Sequence, residues 1–142
     1  MDVHKQQSMN LHTLEVYCGK NCFELDRIDC FFFIVEHSYT QDFIYKIATC
    51  LLRRQGGEFH FYGSFRAEWE LGFDLADMEL RPEKDENVAL TCVWEDIDGF
   101  LEALSTYLPM EEPNLCKVFL VYDDEQSYRE VITKLKGEGL IF

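Results

Sequence analysis

Apolar residues along the chain form two kinds of pattern: short continuous runs, and longer stretches in which they recur about every 3.6 residues. The clearest example of both lies between residues 87 and 108. Its first part, residues 88–94, is a run of β-branched and apolar residues, which is typical of a strand covered on both faces. Its second part places apolar residues on one face of a helix, namely Ile97, Phe100, Leu101, Leu104 and Leu108. The segment predicts a buried strand, a short turn and an amphipathic helix.

Similar patterns occur before and after this segment. Apolar runs predict further strands at residues 30–36, 58–63 and 117–122. Thr40 is a natural N-cap for a helix with a broad apolar face, which ends near Gly56. Asp123 and Asp124 favour the start of a last helix, and Gly137 favours its end.

Residues 65–77 are compatible with two structures. A strand is indicated by the period of two in Trp69, Leu71, Phe73 and Leu75. A helix is indicated by a shared face made of Phe65, Trp69, Phe73 and Ala76. We favour the helix, because the connection between two parallel strands normally contains one.

Four successive strand–helix units predict an α/β fold, a single three-layer α/β sandwich with a mostly parallel central sheet and helices on both faces. Residues 11–142 are predicted to form this one domain. Within it, residues 11–25 fit either an N-terminal hairpin or an antiparallel edge strand. Residues 1–10 are polar and lack periodicity, so we expect a mobile leader there.

The charge balance narrows the range of partners. The chain has 13 Lys and Arg against 27 Asp and Glu, a formal net charge of −14. Residues 1–71 hold 7 basic and 10 acidic residues, whereas residues 72–142 hold 6 and 17. Such a surface repels phosphates and anionic lipid, so we expect no direct nucleic-acid or membrane binding and favour a basic protein as partner. Solubility alone is the competing explanation for the acidity.

The six cysteines do not predict a disulfide framework. We expect no signal peptide from residues 1–10, and no apolar run approaches the roughly 20 residues that span a bilayer. Cys18 and Cys22, near His12 and Cys30, lack the spacing of a zinc site. The pattern favours a cytoplasmic protein with reduced thiols and without a cofactor.

Candidate chemistry is concentrated where the predicted strands end, since ligands of such sheets bind outside the carboxyl ends of the strands. The candidate strand-end cluster consists of Glu36, His37, Glu95, Asp96, Asp123 and Asp124. Carboxylates in this arrangement are able to hold Mg²⁺, but the favoured interpretation is that they cap helices and complement their dipoles. Ser64 follows a predicted strand, as a hydrolase nucleophile would, but the surrounding residues 62–66 lack the second glycine of a nucleophile elbow.

A second group of candidates would contact a partner. Exposed aromatic residues beside acidic ones would form such a contact surface. The candidate interaction residues are Trp69, Tyr107, Glu111, Glu112 and Tyr128.

The C-terminal half resembles a family of small, uncharacterised bacterial cytosolic α/β proteins, over about residues 60–135. The likeness consists of Thr91-Cys92-Val93-Trp94-Glu95-Asp96, the helix segment at residues 100–104, a Pro-acid loop and Cys116 before an apolar strand. The family commonly has His-acid after the Trp of this motif, where this chain has Glu95. The family has no known activity, so the resemblance implies an α/β fold and a bacterial origin.

These observations predict a non-enzymatic acidic protein-interaction module, such as an inhibitor or immunity-type protein that covers a basic surface. The alternative is a small enzyme or ligand sensor with a Mg²⁺ or nucleotide site at the strand ends. A homo-oligomer formed through the apolar residues 140–142 is a third hypothesis.

Overall fold

The chain forms five strands and four helices within the residues that a computed structural model describes, which are 11–15, 29–54, 57–80, 89–107 and 118–139. The strands are β1 (Leu11–Glu15), β2 (Asp29–Ile34), β3 (Gly57–Tyr62), β4 (Leu90–Trp94) and β5 (Val118–Tyr122). The helices are α1 (Gln41–Arg54), α2 (Arg66–Leu80), α3 (Ile97–Tyr107) and α4 (Glu125–Gly137).

All five strands are parallel and pair in the order β1-β5-β2-β3-β4. Helices α1 and α2 cover one face of the sheet, and α3 and α4 cover the other. The predicted three-layer sandwich with helices on both faces is therefore confirmed. No helix in these described ranges is both long enough and apolar enough to cross a membrane.

The central strands are buried on both faces, which explains their continuous apolar sequences. In β2, Phe32 and Ile34 pack under α3 and α4, whereas Phe31 and Phe33 pack under α1 and α2. All four side chains are at most 1% exposed. Because successive side chains of a strand point to opposite faces, a strand covered twice needs apolar residues at every position.

Strand β1 occupies the edge of the sheet, beside β5. It runs parallel to β5, with Leu11 paired to Val118 and Glu15 to Tyr122. The prediction of an antiparallel edge strand is thus wrong about the direction of the strand. A short alternating sequence indicates an edge position, but it carries no information about which way the strand runs. The second arm of the expected hairpin and the leader at residues 1–10 lie outside the described residues.

Residues 66–80 form a helix, as favoured above. Trp69, Phe73 and Ala76 are fully buried on its inner side, and the other members of the period-two pattern, Leu71 and Leu75, are about half exposed. Because β3 and β4 are parallel neighbours, the chain between them must cross over one face of the sheet, and a helix makes this connection. The apolar alternation in the sequence reflects a helix with apolar residues on two sides.

Helices α1 and α2 are in close contact at Gly72. A Cβ atom at this position would lie 2.5 Å from Cγ2 of Ile44, a side chain that is 1% exposed. A β-branched side chain in a packed core has no free rotamer that relieves such a contact. Gly72 is therefore required by the distance between the two helices.

We expect Gly72→Ala to lower the free energy of unfolding by about 1–2 kcal/mol, because overpacking outweighs the gain in helix propensity. Gly137 in α4 is the matched control, since a Cβ atom there would have no neighbour within 4 Å. Gly137→Ala should leave stability unchanged or raise it. Urea denaturation of both variants measures the difference, and equal effects would show that the helices have room at Gly72.

Candidate functional site

The strand-end edge has a topological switch point between β2 and β5. These strands are neighbours, yet α1, which follows β2, and α4, which follows β5, lie on opposite faces of the sheet. Such a point is where open α/β sheets usually bind ligands. Glu36 and His37 follow β2 here, and Asp123 and Asp124 follow β5. The fold thus brings together four of the six predicted strand-end residues.

The carboxylate of Asp123 joins the two loops at this point. Its Oδ1 accepts a hydrogen bond from the backbone N–H of Glu36 at 2.8 Å, and its Oδ2 accepts one from His37 at 3.0 Å. The backbone N–H of Asp123 in turn donates to the carbonyl of Ile34 at 3.2 Å. Charged acceptors form the stronger class of hydrogen bond, so Asp123 fixes one loop against the other.

Glu36 makes the next link along the edge, from β2 to β3. Its Oε1 accepts the hydroxyl of Ser64 at 2.7 Å. The carbonyl of Val35 accepts the N–H of Phe65 at 3.1 Å. Between them, Gly63 has φ +119°, and a Cβ atom there would lie 2.5 Å from the carbonyl oxygen of Val35. Ser64 is accordingly a turn residue that Glu36 holds in place.

Asp124 caps helix α4 and pairs with His37. Its Oδ2 accepts the backbone N–H of Ser127 at 3.0 Å, and its Oδ1 lies 3.5 Å from Nε2 of His37. The hydrogen bonds from Ser127, followed by the nearby imidazole of His37, lower the pKa of Asp124. The favoured interpretation of Asp124 as a cap is confirmed.

Glu95 and Asp96 lie apart from the other four residues. They follow β4, the edge strand, and β3 lies between β4 and β2. At the usual spacing of neighbouring strands, β4 is therefore about 10 Å from β2. Asp96 caps α3, with Oδ1 accepting the N–H of Gly99 at 2.8 Å, and Glu95 is exposed. Tyr62 ends β3 and so lies between the two groups. Its burial raises its pKa, and the negative charges of Glu130, Glu36 and Asp96 raise that pKa further.

This arrangement occupies the carboxylates with the protein's own N–H and O–H groups. Asp123 uses both oxygens, and Asp124, Asp96 and Glu36 each use at least one. Within the described part of the chain, no three His, Cys, Asp or Glu side chains converge in a way that could hold a metal ion. These carboxylates hold loops and helix ends in place.

A second group of polar side chains lies under α3, on the face of β3 and β4. His60 is 4% exposed, and its ring stacks on Phe32 with the centroids 4.3 Å apart. Its Nδ1 accepts the indole N–H of Trp94 at 3.0 Å, and its Nε2 lies 3.0 Å from Oε1 of Glu58. The hydroxyl of Tyr107 donates to the same Glu58 oxygen. We call these four residues, Glu58, His60, Trp94 and Tyr107, the polar ladder.

The polar ladder determines the protonation of His60. An indole N–H only donates, so Nδ1 accepts, and the ring proton resides on Nε2, where it bonds Glu58. Burial lowers the pKa of His60. Cys92 pairs with His60 in the sheet register, and burial followed by the charge of Glu58 raises the pKa of its thiol. With both ring nitrogens engaged, His60 has no free site to activate the Cys92 thiol as a nucleophile.

The polar ladder was only partly foreseeable. The burial of His60 follows from its place between Phe59 and Phe61 in an apolar strand. Its partners were missed, although Glu58 and His60 share one face of a strand by their spacing of two. The bond to Trp94 depends on which strands are neighbours, and the sequence pattern does not show that.

Two of the predicted interaction residues lie in the core. Trp69 is 0% exposed among Phe33, Phe73 and other aromatic rings, and Tyr128 is 5% exposed and stacks on Tyr122 at 4.1 Å. Both were expected at the surface, and both are buried because their helices turn these positions toward the sheet.

Tyr107, the third aromatic candidate, is not exposed either. Tyr107 is half-buried, with its hydroxyl engaged in the polar ladder. Glu111 and Glu112 lie outside the described residues. In the described part of the chain, the exposed large apolar residues are instead Leu71, Leu75, Met78 and Leu90.

Comparison of the chain with protein-family models, with curated proteins and with solved structures finds no significant match. The resemblance to small bacterial cytosolic proteins therefore stays an expectation, and the function is argued from the site alone.

We expect Asp123→Asn to lower the free energy of unfolding by about 1–3 kcal/mol, because an amide nitrogen would face one of the two N–H groups that the carboxylate accepts. Asp98→Asn, at an exposed position in the first turn of α3, is the matched control and should change stability by less than about 0.5 kcal/mol. Guanidinium denaturation measures both. Equal losses would show that Asp123 does not clamp the loops.

The polar ladder also predicts a pH dependence of stability. Because folding lowers the pKa of His60 below 6.5, the unfolded chain binds its proton first, and stability is lost as the pH falls through 6.5 toward the folded-state pKa. Denaturation midpoints between about pH 7.5 and pH 5 measure the trend. His60→Gln should be less stable but should lose this part of the slope. Parallel profiles for the two proteins would contradict the assignment.

Proposed function

We propose that this protein is a non-enzymatic, acidic interaction module that binds a basic surface of another protein. The observation that carries the proposal is the engagement of the strand-end carboxylates by the protein's own loops. Asp123 accepts two backbone N–H groups, and Glu36 accepts Ser64, at the point where an α/β sheet would hold a ligand. What the acidic residues offer to other molecules is then charge.

The charge is distributed unevenly over the helices, which supports an oriented interaction. Helix α2 carries one cation, Arg66, and five carboxylates: Glu68, Glu70, Asp74, Asp77 and Glu79. Helix α1, which packs beside α2, carries one carboxylate and, among its described side chains, two cations: Asp42, Lys46 and Arg53. An uneven field of this kind orients an approaching basic protein and raises the rate of association.

Within this proposal, the protein acts as an inhibitor or immunity-type partner that covers a basic site. Its place of action is a bacterial cytoplasm, where cysteines stay reduced. Cys50 and Cys92 form no disulfide within the described part of the chain, which supports a reducing compartment. Both the compartment and the inhibitory role belong to the proposal.

The experiment is affinity capture from a lysate of the native host on the immobilised protein, followed by binding measurements with the captured protein over a range of salt concentrations. We expect a basic protein whose affinity falls as salt rises, because exposed charges are screened. Affinity that is independent of salt would contradict the proposal.

A thermal melt supplies the comparison with the alternative function. If Mg²⁺ or a nucleotide raises the melting temperature, a ligand site exists and the non-enzymatic proposal is wrong, since a ligand that binds the folded state stabilises it. Asp123→Asn and the wild-type protein should both show no such shift.

A further inference from the structure

Helix α2 exposes apolar residues on the side that faces away from the sheet. Leu71, Leu75 and Met78 are 51%, 47% and 55% exposed, and Ala67 is exposed as well. Positions 67, 71, 75 and 78 recur at i, i+4, i+8 and i+11, and thus share one face opposite the buried Trp69 and Phe73. We call Ala67, Leu71, Leu75 and Met78 the α2 outer face.

A surface helix normally places polar residues on this side, because apolar side chains left in water gain nothing from folding. Three of the four exposed large apolar residues in the described part of the chain belong to the α2 outer face. The fourth, Leu90, pairs with Glu58 and points to the other face of the sheet. Apolar residues grouped in this way mark a surface that binds another macromolecule.

Carboxylates border the α2 outer face on both sides. Asp74 and Glu70 lie on the flank toward β4, where Oδ1 of Asp74 accepts the hydroxyl of Thr91 at 3.0 Å. Glu68 and Glu79 lie on the opposite flank, and both are exposed. Burial, followed by the charge of Asp74, raises the pKa of Glu70, which is the behaviour of a crowded acidic flank. An apolar centre within a polar rim is the usual anatomy of a protein–protein contact.

We propose that the α2 outer face binds an amphipathic, basic helix of the partner protein. The apolar stripe extends over about three turns of α2, which is long enough to pack against the apolar stripe of a second helix. Lysine or arginine residues beside that stripe would meet the carboxylates on the two flanks. The inference rests on the proposed function and identifies the surface and the chemistry of its partner.

Charge complementarity selects this occupant over a second copy of the chain. In a symmetric pair, the α2 outer faces would meet with acidic flanks on both sides. Like charges brought together in this way repel, so the same rim that attracts a basic helix opposes self-association. The same charges repel nucleic acid phosphates.

The test uses three synthetic peptides of equal length and measures their binding to the full chain by fluorescence anisotropy. The first is an amphipathic Leu/Lys helix, the second replaces each Lys with Glu, and the third is a Leu/Lys scramble without a stripe. We expect the first peptide to bind, with an affinity that falls as salt rises, and the other two to bind at least about tenfold more weakly.

Variants of the protein locate the contact. Leu71→Ser with Leu75→Ser should weaken binding of the Leu/Lys helix about tenfold or more, because both apolar anchors are lost. Glu68→Gln with Glu79→Gln should weaken it several-fold and reduce its salt dependence. Glu102→Gln with Glu138→Gln, at exposed positions on and beside other helices, removes the same charge and is the matched control. It should retain the wild-type affinity within about twofold.

Several outcomes would overturn the inference. Equal affinity of the serine variant and the wild-type protein would show that the peptide binds elsewhere. A fall in the melting temperature of the serine variant well beyond what the lower helix propensity of serine accounts for would identify a segment of this chain as the occupant. Sedimentation that shows a dimer in the wild type and a monomer in the serine variant would identify a second copy.

The captured host protein separates this inference from the proposed function. Loss of its binding in the serine variant, with binding retained in the Glu102→Gln and Glu138→Gln control, supports both. Salt-dependent binding that the serine variant leaves unchanged would remove the α2 outer face and keep the proposed function. Binding of the host protein that does not depend on salt would remove the proposed function, whatever the peptides show.

Discussion

Asp123 joins two loops whose helices lie on opposite faces of the sheet, and the rest of the strand-end edge depends on this contact. Its carboxylate accepts the N–H groups of Glu36 and His37, which are 87 and 86 residues away in the sequence. With Glu36 held in this way, its side chain reaches Ser64 and extends the connection from β2 to β3. Buried or partly buried N–H groups need acceptors, and the carboxylate of Asp123 supplies them for both loops. Because its two oxygens are used in this way, the carboxylate is less available to a ligand.

Asp123 holds two loops together at the switch point, and the polar ladder holds strands and a helix together at the β4 edge of the sheet. Strand β4 has a neighbour in the described sheet only on the side of β3, and its side chains are only partly buried. The bond from Trp94 to His60, and the shared contact of His60 and Tyr107 with Glu58, tie β4, β3 and α3 together by side chains. Each polar atom of His60 has a partner, so its burial is compensated.

The surface of the protein follows from how its carboxylates are used. Those at the strand ends cap helices or hold loops, whereas those on α2 border exposed leucine and methionine side chains. The first group gives the fold its rigidity at the edge where an α/β enzyme would place its chemistry. In the second group, Glu68 and Glu79 are exposed, and this difference underlies the proposed binding of a basic protein.

The sequence by itself determined the elements that depend on neighbouring residues. The apolar run of β2 requires burial on both faces, and Asp96 and Asp124 reach N–H groups three residues ahead, as their positions before two helices predicted. Such contacts can be predicted from the sequence because the interacting groups are only a few residues apart. At residues 65–77 the local pattern fitted both a strand and a helix, and the need for a crossover between parallel strands favoured the helix that forms at residues 66–80.

Only the tertiary structure decided which distant groups meet. The order of the strands places Asp123 beside the end of β2 and leaves Asp96 two strands away, although both belong to acidic turns of the same kind. It also buries Trp69 and Tyr128, which were expected at the surface, and leaves Leu71, Leu75 and Met78 in solvent. Hydrophobicity is non-directional, so an apolar residue on a helix does not specify whether the sheet or the solvent lies on its side; the packing of α2 against α1 and the sheet does.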